Sequence, residues 1–188
     1  MARPTSLDLT DLSDAGQRWR RVPMDGANVG IDVVPLASHP DDFVILARFP
    51  AGFERPVAGG YNAAETFLVL DGELQLNGTT VRRGDLTHVP AEIVRNGMST
   101  AGGCTALAWF SGPATFLTPD ELGECTLAVS TERVDDTTPT GAVLATPEAH
   151  WTLAAGAQGE CVDVGLTRWT VEAAPAVGEG ASLVRTRR

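Results

Sequence analysis

The sequence predicts an all-β fold, a small antiparallel β-barrel with extra N- and C-terminal strands, on three observations. From Gly30 onward, short stretches rich in Val, Ile, Leu, Phe and Thr are separated by Gly, Pro, Asn and Asp roughly every eight to twelve residues, a spacing typical of sandwiches and barrels. Asp71-Gly72 and Asn77-Gly78 read as hairpin turn pairs, because both residue types tolerate positive φ. The length of 188 residues suits one well-buried core with extensions better than two domains.

Residues 1–29 mix charge, Gly and Pro and read as an arm, with a short helical turn over 7–19 capped by Ser6 or Thr10. The barrel core is expected over 30–112, with strands at 31–36, 42–49, 65–70, 73–76, 79–82, 86–89 and 104–110. Residues 113–188 are expected to add strands at 125–130, 141–145, 161–171 and 181–186, interrupted by the polar run DDTTPT at 135–140. VILARF at 44–49 is weakly echoed by VGLTRW at 164–169, but no second hairpin set follows the echo. The tail therefore reads as strands that extend the barrel's sheets or cross to a partner subunit, with a degenerate or partial second barrel as the alternative.

Composition removes several function classes. A net charge of -10 opposes nucleic acid and anionic membranes, which need a basic footprint. All fourteen basic residues are arginine, so Schiff-base chemistry, pyridoxal phosphate anchoring and a Walker lysine are chemically excluded. There is no apolar leader and no apolar run of about 18 residues. Cys104, Cys125 and Cys161 are odd in number and widely spaced, which points to a reduced, cytoplasmic protein. G-x-S-x-G, C-x-x-C and a strand-to-helix G-x-G-x-x-G are absent, leaving hydrolase, zinc-ribbon and dinucleotide readings unsupported.

GFERPVAGGYNAAETFLVLDG at 52–72 resembles the first cupin motif, G-x5-H-x-H-x4-E-x6-G, with Gly52, Glu65 and Gly72 in register. Ala58 and Gly60 stand where the paired histidines belong, or Gly59 and Tyr61 if the spacer is one residue shorter. GDLTHVPAEIVR at 84–95 is similar to the second motif, G-x5-P-x-G-x2-H-x3-N. Gly84 and Pro90 hold their places, Glu92 replaces the glycine, Arg95 the histidine and Ser99 the asparagine. The resemblance covers roughly 43–110 and is strongest to the cupin module of ChrR-like anti-sigma factors. It implies a jelly-roll, or double-stranded β-helix, barrel and, as a family-level expectation, a homodimer, which suits the need to cover sheet edges. In the family, two histidines at i and i+2, a glutamate and a third histidine converge on a transition metal. Only Glu65 survives here, so the expectation is no metal and no cofactor.

Several side chains remain candidates. Glu65 and Arg95 occupy two former ligand positions. They are expected to meet inside the barrel, either as a retained ion pair or as a working pair in which Arg95 anchors an anion and Glu65 moves a proton. Tyr61 is the only tyrosine and either donates to a ligand oxygen or fills space, while Asn62 beside it reads as a turn residue. Arg48 and Trp109, on strands flanking the motifs, are candidate ligand-binding residues, although Trp109 also reads as core and alternation leaves the face of 42–49 undecided. His88 reads as a packed or interface histidine, and His39 and His150 as surface loop residues. The predicted function is a metal-independent cupin that binds a small anionic or carbonyl-bearing molecule. Proton-transfer chemistry (isomerisation, cyclisation or dehydration) would go with catalytic roles for Glu65, Arg95 and Tyr61. The alternatives are a non-catalytic ligand-binding or regulatory module and a structural dimer with a filled barrel.

Overall fold

The computed structural model describes residues 3–13, 18–156, 159–171 and 180–188, where every regular element is a strand. Among the described residues no helix is long and apolar enough to cross a membrane. The chain divides into two compact units, one of residues 18–131 and one of residues 1–17 with 132–188. β1 (Ser6–Asp8) belongs to the smaller unit. The larger contains β2 (Arg20–Val22), β3 (Ile31–Pro35), β4 (Phe43–Phe49), β5 (Phe53–Arg55), β6 (Gly60–Tyr61), β7 (Glu65–Leu76), β8 (Thr79–Arg82), β9 (Asp85–Val89), β10 (Met98–Thr100), β11 (Cys104–Phe110) and β12 (Phe116–Leu117). β13 (Ser130–Arg133) leads out of it, and β14 (Gly141–Ala145), β15 (Ala149–Ala155), β16 (Cys161–Asp163), β17 (Arg168–Thr170) and β18 (Ala181–Arg187) follow.

In the larger unit one sheet runs β9-β7-β11-β4-β3-β2, all antiparallel. The far half of β7 pairs instead with β8 and β10, and β10 continues to β5. β7 thus belongs to both walls, and the sheet closes around an apolar interior. Alternation fixes which side chains face it: Ile31 and Val33, Ile45, Ala47 and Phe49, Phe67 and Val69, and Cys104, Ala106, Ala108 and Phe110 form one buried cluster. The smaller unit is a sheet of order β1-β17-β16-β18-β15-β14 with Trp151, Trp169, Leu153 and Leu183 buried. Glu160 there accepts hydrogen bonds from Arg185 (Nη1, 3.0 Å) and Trp169 (Nε1, 3.3 Å).

Four local expectations change. Leu7 and Asp8 lie in β1 paired to β17, so no helical turn begins there; residues 14–17 of that expectation lie outside those described. Residues 125–129 are unpaired, and the strand forms at β13 instead. The 161–171 stretch splits, because Asp163 accepts from the Thr167 amide and hydroxyl (both 2.8 Å) and Leu166 turns with φ +56°. VGLTRW is therefore a turn plus β17, not a second copy of β4. Asn77 and Gly78 (φ +50° and +77°) do make the tight β7–β8 hairpin, whereas Asp71-Gly72 is a bend inside continuous β7. Opposite β11, Thr105 faces Asp71 and Ala106 faces Val69, leaving Leu70 as a bulge.

Gly72 is held at φ +72°, and a Cβ there would lie 2.1 Å from the Gly103 carbonyl oxygen. Gly72→Ala is expected to cost more than about 2 kcal/mol, from both the left-handed conformation and the backbone clash. Gly78→Ala, at φ +77° in open space, should cost only the conformational part, about 1–2 kcal/mol. Urea denaturation of the two variants measures the difference, and equal costs would mean that the close approach at Gly72 is unimportant.

Candidate functional site

A cavity of about 320 Å³ lies within the barrel, lined mainly by apolar side chains. It exists because β4 and β11 place Ala47, Ala106 and Ala108 on their inward faces, where larger residues would fill the space. Its polar wall is Tyr61, Glu65 and Arg95, and Arg20 and Asp25 also line it.

Three elements assemble that wall. Glu65 opens β7 on the face of Phe67 and Val69. Arg95 is brought alongside by an antiparallel bridge to Gly59, in which the Arg95 amide donates to the Gly59 carbonyl at 2.8 Å. Arg95 Nη1 donates to Glu65 Oε2 at 2.5 Å, with the arginine side chain 2% and the glutamate 12% exposed. Arg95 Nε and Nη2 are buried without a hydrogen-bond partner, and the Arg95 guanidinium lies 4.8 Å from the Tyr61 ring centroid. Tyr61, on β6, packs edge-on to Phe110 and Phe116. Glu65, Arg95 and Tyr61 are therefore together in one cavity.

Of the four motif positions 58 to 61, only Tyr61 lines the cavity. A Cβ on Gly59 or Gly60 would strike a backbone carbonyl oxygen, that of Leu117 (2.5 Å) or Ile93 (2.4 Å), so neither position has room for a side chain.

Sequence reasoning missed Arg55. It lies opposite Met98 across the β5–β10 pair, and Met98 lines the cavity, so both side chains project to the same face. Arg55 is 1% exposed. Its Nη1 donates to Tyr61 Oη at 3.3 Å, while Nε and Nη2 are buried without a partner. Its guanidinium lies 5.0 Å from the Phe116 ring centroid. Desolvation lowers its pKa, and Arg95 pushes the same way, against opposing contributions from Tyr61 and Glu65. Burial raises the Tyr61 phenol above its ordinary value, against the two arginines.

Arg48 and Trp109 are not part of this cavity. Ile45, Ala47 and Phe49 of β4, and Ala106, Ala108 and Phe110 of β11, face inward, so the even-numbered Arg48 and the odd-numbered Trp109 project to the opposite face. Arg48 stacks 4.0 Å from the Trp19 ring centroid. His88 is buried and shares a 3.1 Å hydrogen bond with Thr66, on the strand face away from Val89. His39 is in a loop, as expected, whereas His150, exposed as expected, is not in a loop but on β15, paired with Ala145 of β14 and Thr186 of β18. Burial, with Asp71 adding to it, pushes the Cys104 thiol up to about 12, so it is no thiolate nucleophile near neutral pH.

Comparison with solved structures gives the fold. A crystal structure from Nostoc punctiforme, named as that of a putative dioxygenase, matches with a TM-score of 0.61 at 15% identity, over 98% of this chain and 79% of that one. A cupin-like protein of Thermotoga maritima matches with a TM-score of 0.44 at 16% identity, over 56% and 90%. The Rhodobacter sphaeroides complex of SigE with the anti-sigma ChrR matches with a TM-score of 0.44 at 21% identity, over 52% and 51%. No family model matches the chain, and no curated protein does. The chain shares its all-β fold with the Nostoc protein over nearly its whole length.

The metal that the motif resemblance implies does not fit the residues present. Among the described residues no three His, Cys, Asp or Glu side chains converge on a common point. The surviving carboxylate is already bonded to Arg95, and unpartnered guanidinium nitrogens occupy the surroundings. Such a cluster repels a cation and offers it one ligand at most.

Two predictions follow from the charges. Glu65→Gln strands two arginines together and is expected to cost roughly 3–5 kcal/mol, the range for breaking a buried pair. Arg95→Met should cost less, because Arg55 remains to act on Glu65. Chemical denaturation decides, and a larger cost for Arg95→Met would contradict this order. Because Tyr61 is the only tyrosine, alkaline titration of the phenolate absorption reports on it alone. Its midpoint should lie above the ordinary value of about 10. The folded state then keeps a proton that the unfolded chain loses, so this group leaves stability unchanged below that pH and lowers it above.

Proposed function

We propose that the barrel binds a small anionic or carbonyl-bearing organic molecule without a metal. The observation that carries this reading is a largely apolar cavity of about 320 Å³ whose lining includes Arg95, Tyr61 and Glu65. Arg95 Nε and Nη2 are unpartnered, and the Tyr61 hydroxyl accepts from Arg55 while its own proton meets no acceptor in the described residues. The volume suits a small molecule, and a carboxylate, enolate or carbonyl oxygen is what such donors bind.

A second reading, proton-transfer catalysis, is favoured by one further observation. Only Oε2 of Glu65 is engaged by Arg95, and Glu65 lines the cavity. Its Oε1 can take a proton from carbon while Tyr61 and Arg95 stabilise the enolate that forms.

Calorimetric titration with 2-oxo acids and 1,3-dicarbonyl compounds tests the first reading. Saturable binding is expected, weakened about 10- to 150-fold in Arg95→Met, the equivalent of one charge-assisted hydrogen bond. Ala106→Leu, which fills the cavity but leaves the polar wall intact, should abolish it. Absence of binding, or indifference to Ala106→Leu, refutes the reading. For the second, deuterium wash-in at C3 of 2-oxobutyrate, followed by NMR, should be catalysed by the wild type and lost in Glu65→Gln.

A further inference from the structure

Arg55, Arg95 and the largely buried Glu65 are the charged groups that meet around Tyr61. Those acting on Arg55 are Arg95 and Glu65 together with the Tyr61 phenol, and those acting on Tyr61 are Arg55, Arg95 and Glu65. Two guanidiniums and one carboxylate leave one surplus positive charge. Arginine does not shed its proton to relieve it, and Tyr61 is neutral near pH 7. The other two charged lining residues, Arg20 and Asp25, are of opposite sign and exposed to solvent, which screens them.

Arg55 is the source of the surplus. Arg95 is balanced by Glu65 at 2.5 Å, whereas the single hydrogen bond of Arg55 goes to a phenol. An isolated buried guanidinium costs several kcal/mol, so a fold that keeps one requires a reason other than stability. Arg55 also does not line the cavity; it lies behind Tyr61 and Phe116. By donating to Tyr61 Oη it occupies a lone pair of that oxygen, polarises the O–H bond and leaves the hydroxyl proton to be donated elsewhere. Arg55 is accordingly a positioning residue whose charge reaches the cavity through Tyr61.

We propose, on the basis of the small-molecule reading above, that the ligand is a singly charged organic acid with an apolar body. Its carboxylate is held by the Tyr61 hydroxyl and Arg95, and the Arg55 charge behind Tyr61 balances it. A neutral ligand leaves the surplus charge in place. A dianion exceeds the surplus and brings its second charge against Glu65 in an apolar chamber.

Two matched series test this by calorimetry: benzoate, benzamide and phthalate, and hexanoate, hexanamide and adipate. In at least one series the monoanion should bind the wild type about 30-fold or more tighter than the amide, as loss of a charge-assisted contact implies, and more than tenfold tighter than the dianion. Arg55→Met should lose most of that preference, leaving amide affinity within about threefold, while Arg55→Lys keeps it. Arg55→Met should also melt above the wild type, because it removes an unbalanced buried charge, so its loss of affinity cannot be put down to unfolding. The sole tyrosine supplies a further readout. Its ring Cζ NMR resonance should move on monoanion binding in the wild type, and Arg55→Met should displace the ligand-free resonance.

If amides bind as tightly as monoanions, if Arg55→Met keeps the preference, or if it melts lower, the charge inference is overturned while the small-molecule reading stands. If neither these series nor the 2-oxo acids and 1,3-dicarbonyls bind, both fall together.

Discussion

The site depends on the bend in β7. Its first half places odd-numbered residues inward, Glu65, Phe67 and Val69, and its second half places even-numbered residues inward, Leu74 and Leu76. A strand that alternates regularly cannot do this. The bulge at Leu70, with Gly72 at φ +72° against the Gly103 carbonyl, absorbs the change of parity and lets one strand pair with β9 and β11 before it and with β8 and β10 after it. Both walls of the barrel are therefore in register with the carboxylate that begins the strand, and Glu65 faces the interior only while that register holds. The glutamate and the glycine seven residues later form one mechanical unit, in which the glycine's backbone freedom sets where the glutamate points.

Around that carboxylate the chain maintains an arrangement that an apolar core would not choose. Burying ions in a barrel wall stabilises only when each is matched, and here one pair is matched while a second arginine has a phenol for company. The surrounding aromatics moderate this: the Tyr61 face lies 4.8 Å from the Arg95 guanidinium and the Phe116 ring 5.0 Å from that of Arg55, distances at which ring quadrupoles attract cations by about 0.5–2 kcal/mol. That is less than the cost of an isolated buried charge. The remaining deficit is a stability cost concentrated in one place, which the proposed ligand binding would account for. The smaller unit offers an internal contrast, since its buried Arg185 meets a carboxylate directly at 3.0 Å.

The barrel was legible in the sequence because period-2 runs and turn pairs record pairing locally. The strands 79–82, 104–110 and 141–145 coincide with β8, β11 and β14. Most of the strands that escaped notice, β1, β2, β5, β6, β10 and β12, have two or three residues, too few for a period to declare itself; the seven-residue β15 escaped because AHWTLAA is rich in alanine, a poor strand former. The short ones exist because tertiary pairing supplies their partners. Asp71-Gly72 was misread for a related reason. Positive φ serves a hairpin and a bulge equally, and what separates the two is the long-range partner, β11, more than thirty residues downstream. The face of Arg48 was unreadable because β4 is apolar on both sides, so only the observed register decides that Ala47 looks inward.

Glu65, Arg95 and Tyr61 could be found because a family motif marks their positions, and the structure brings the three into one cavity. Arg55 could not, because no motif position corresponds to it and its neighbours in ERP look like an exposed turn. Its burial follows from the pairing of a three-residue strand with β10. Where a metal would gather histidines around a cation, this chain gathers Arg55, Arg95 and the Tyr61 hydroxyl, and the proposed anion site and a metal centre need opposite surroundings. A metal centre wants carboxylates and neutral imidazoles within reach, whereas an anion site is strengthened by each cation added behind its donors. An arginine at position 55 would weaken a metal centre and strengthen the proposed anion site, so its burial behind Tyr61 accords with tyrosine at 61 and arginine at 95, where the motif resemblance would place histidines. The three residues make physical sense as a set, and none of them does so alone.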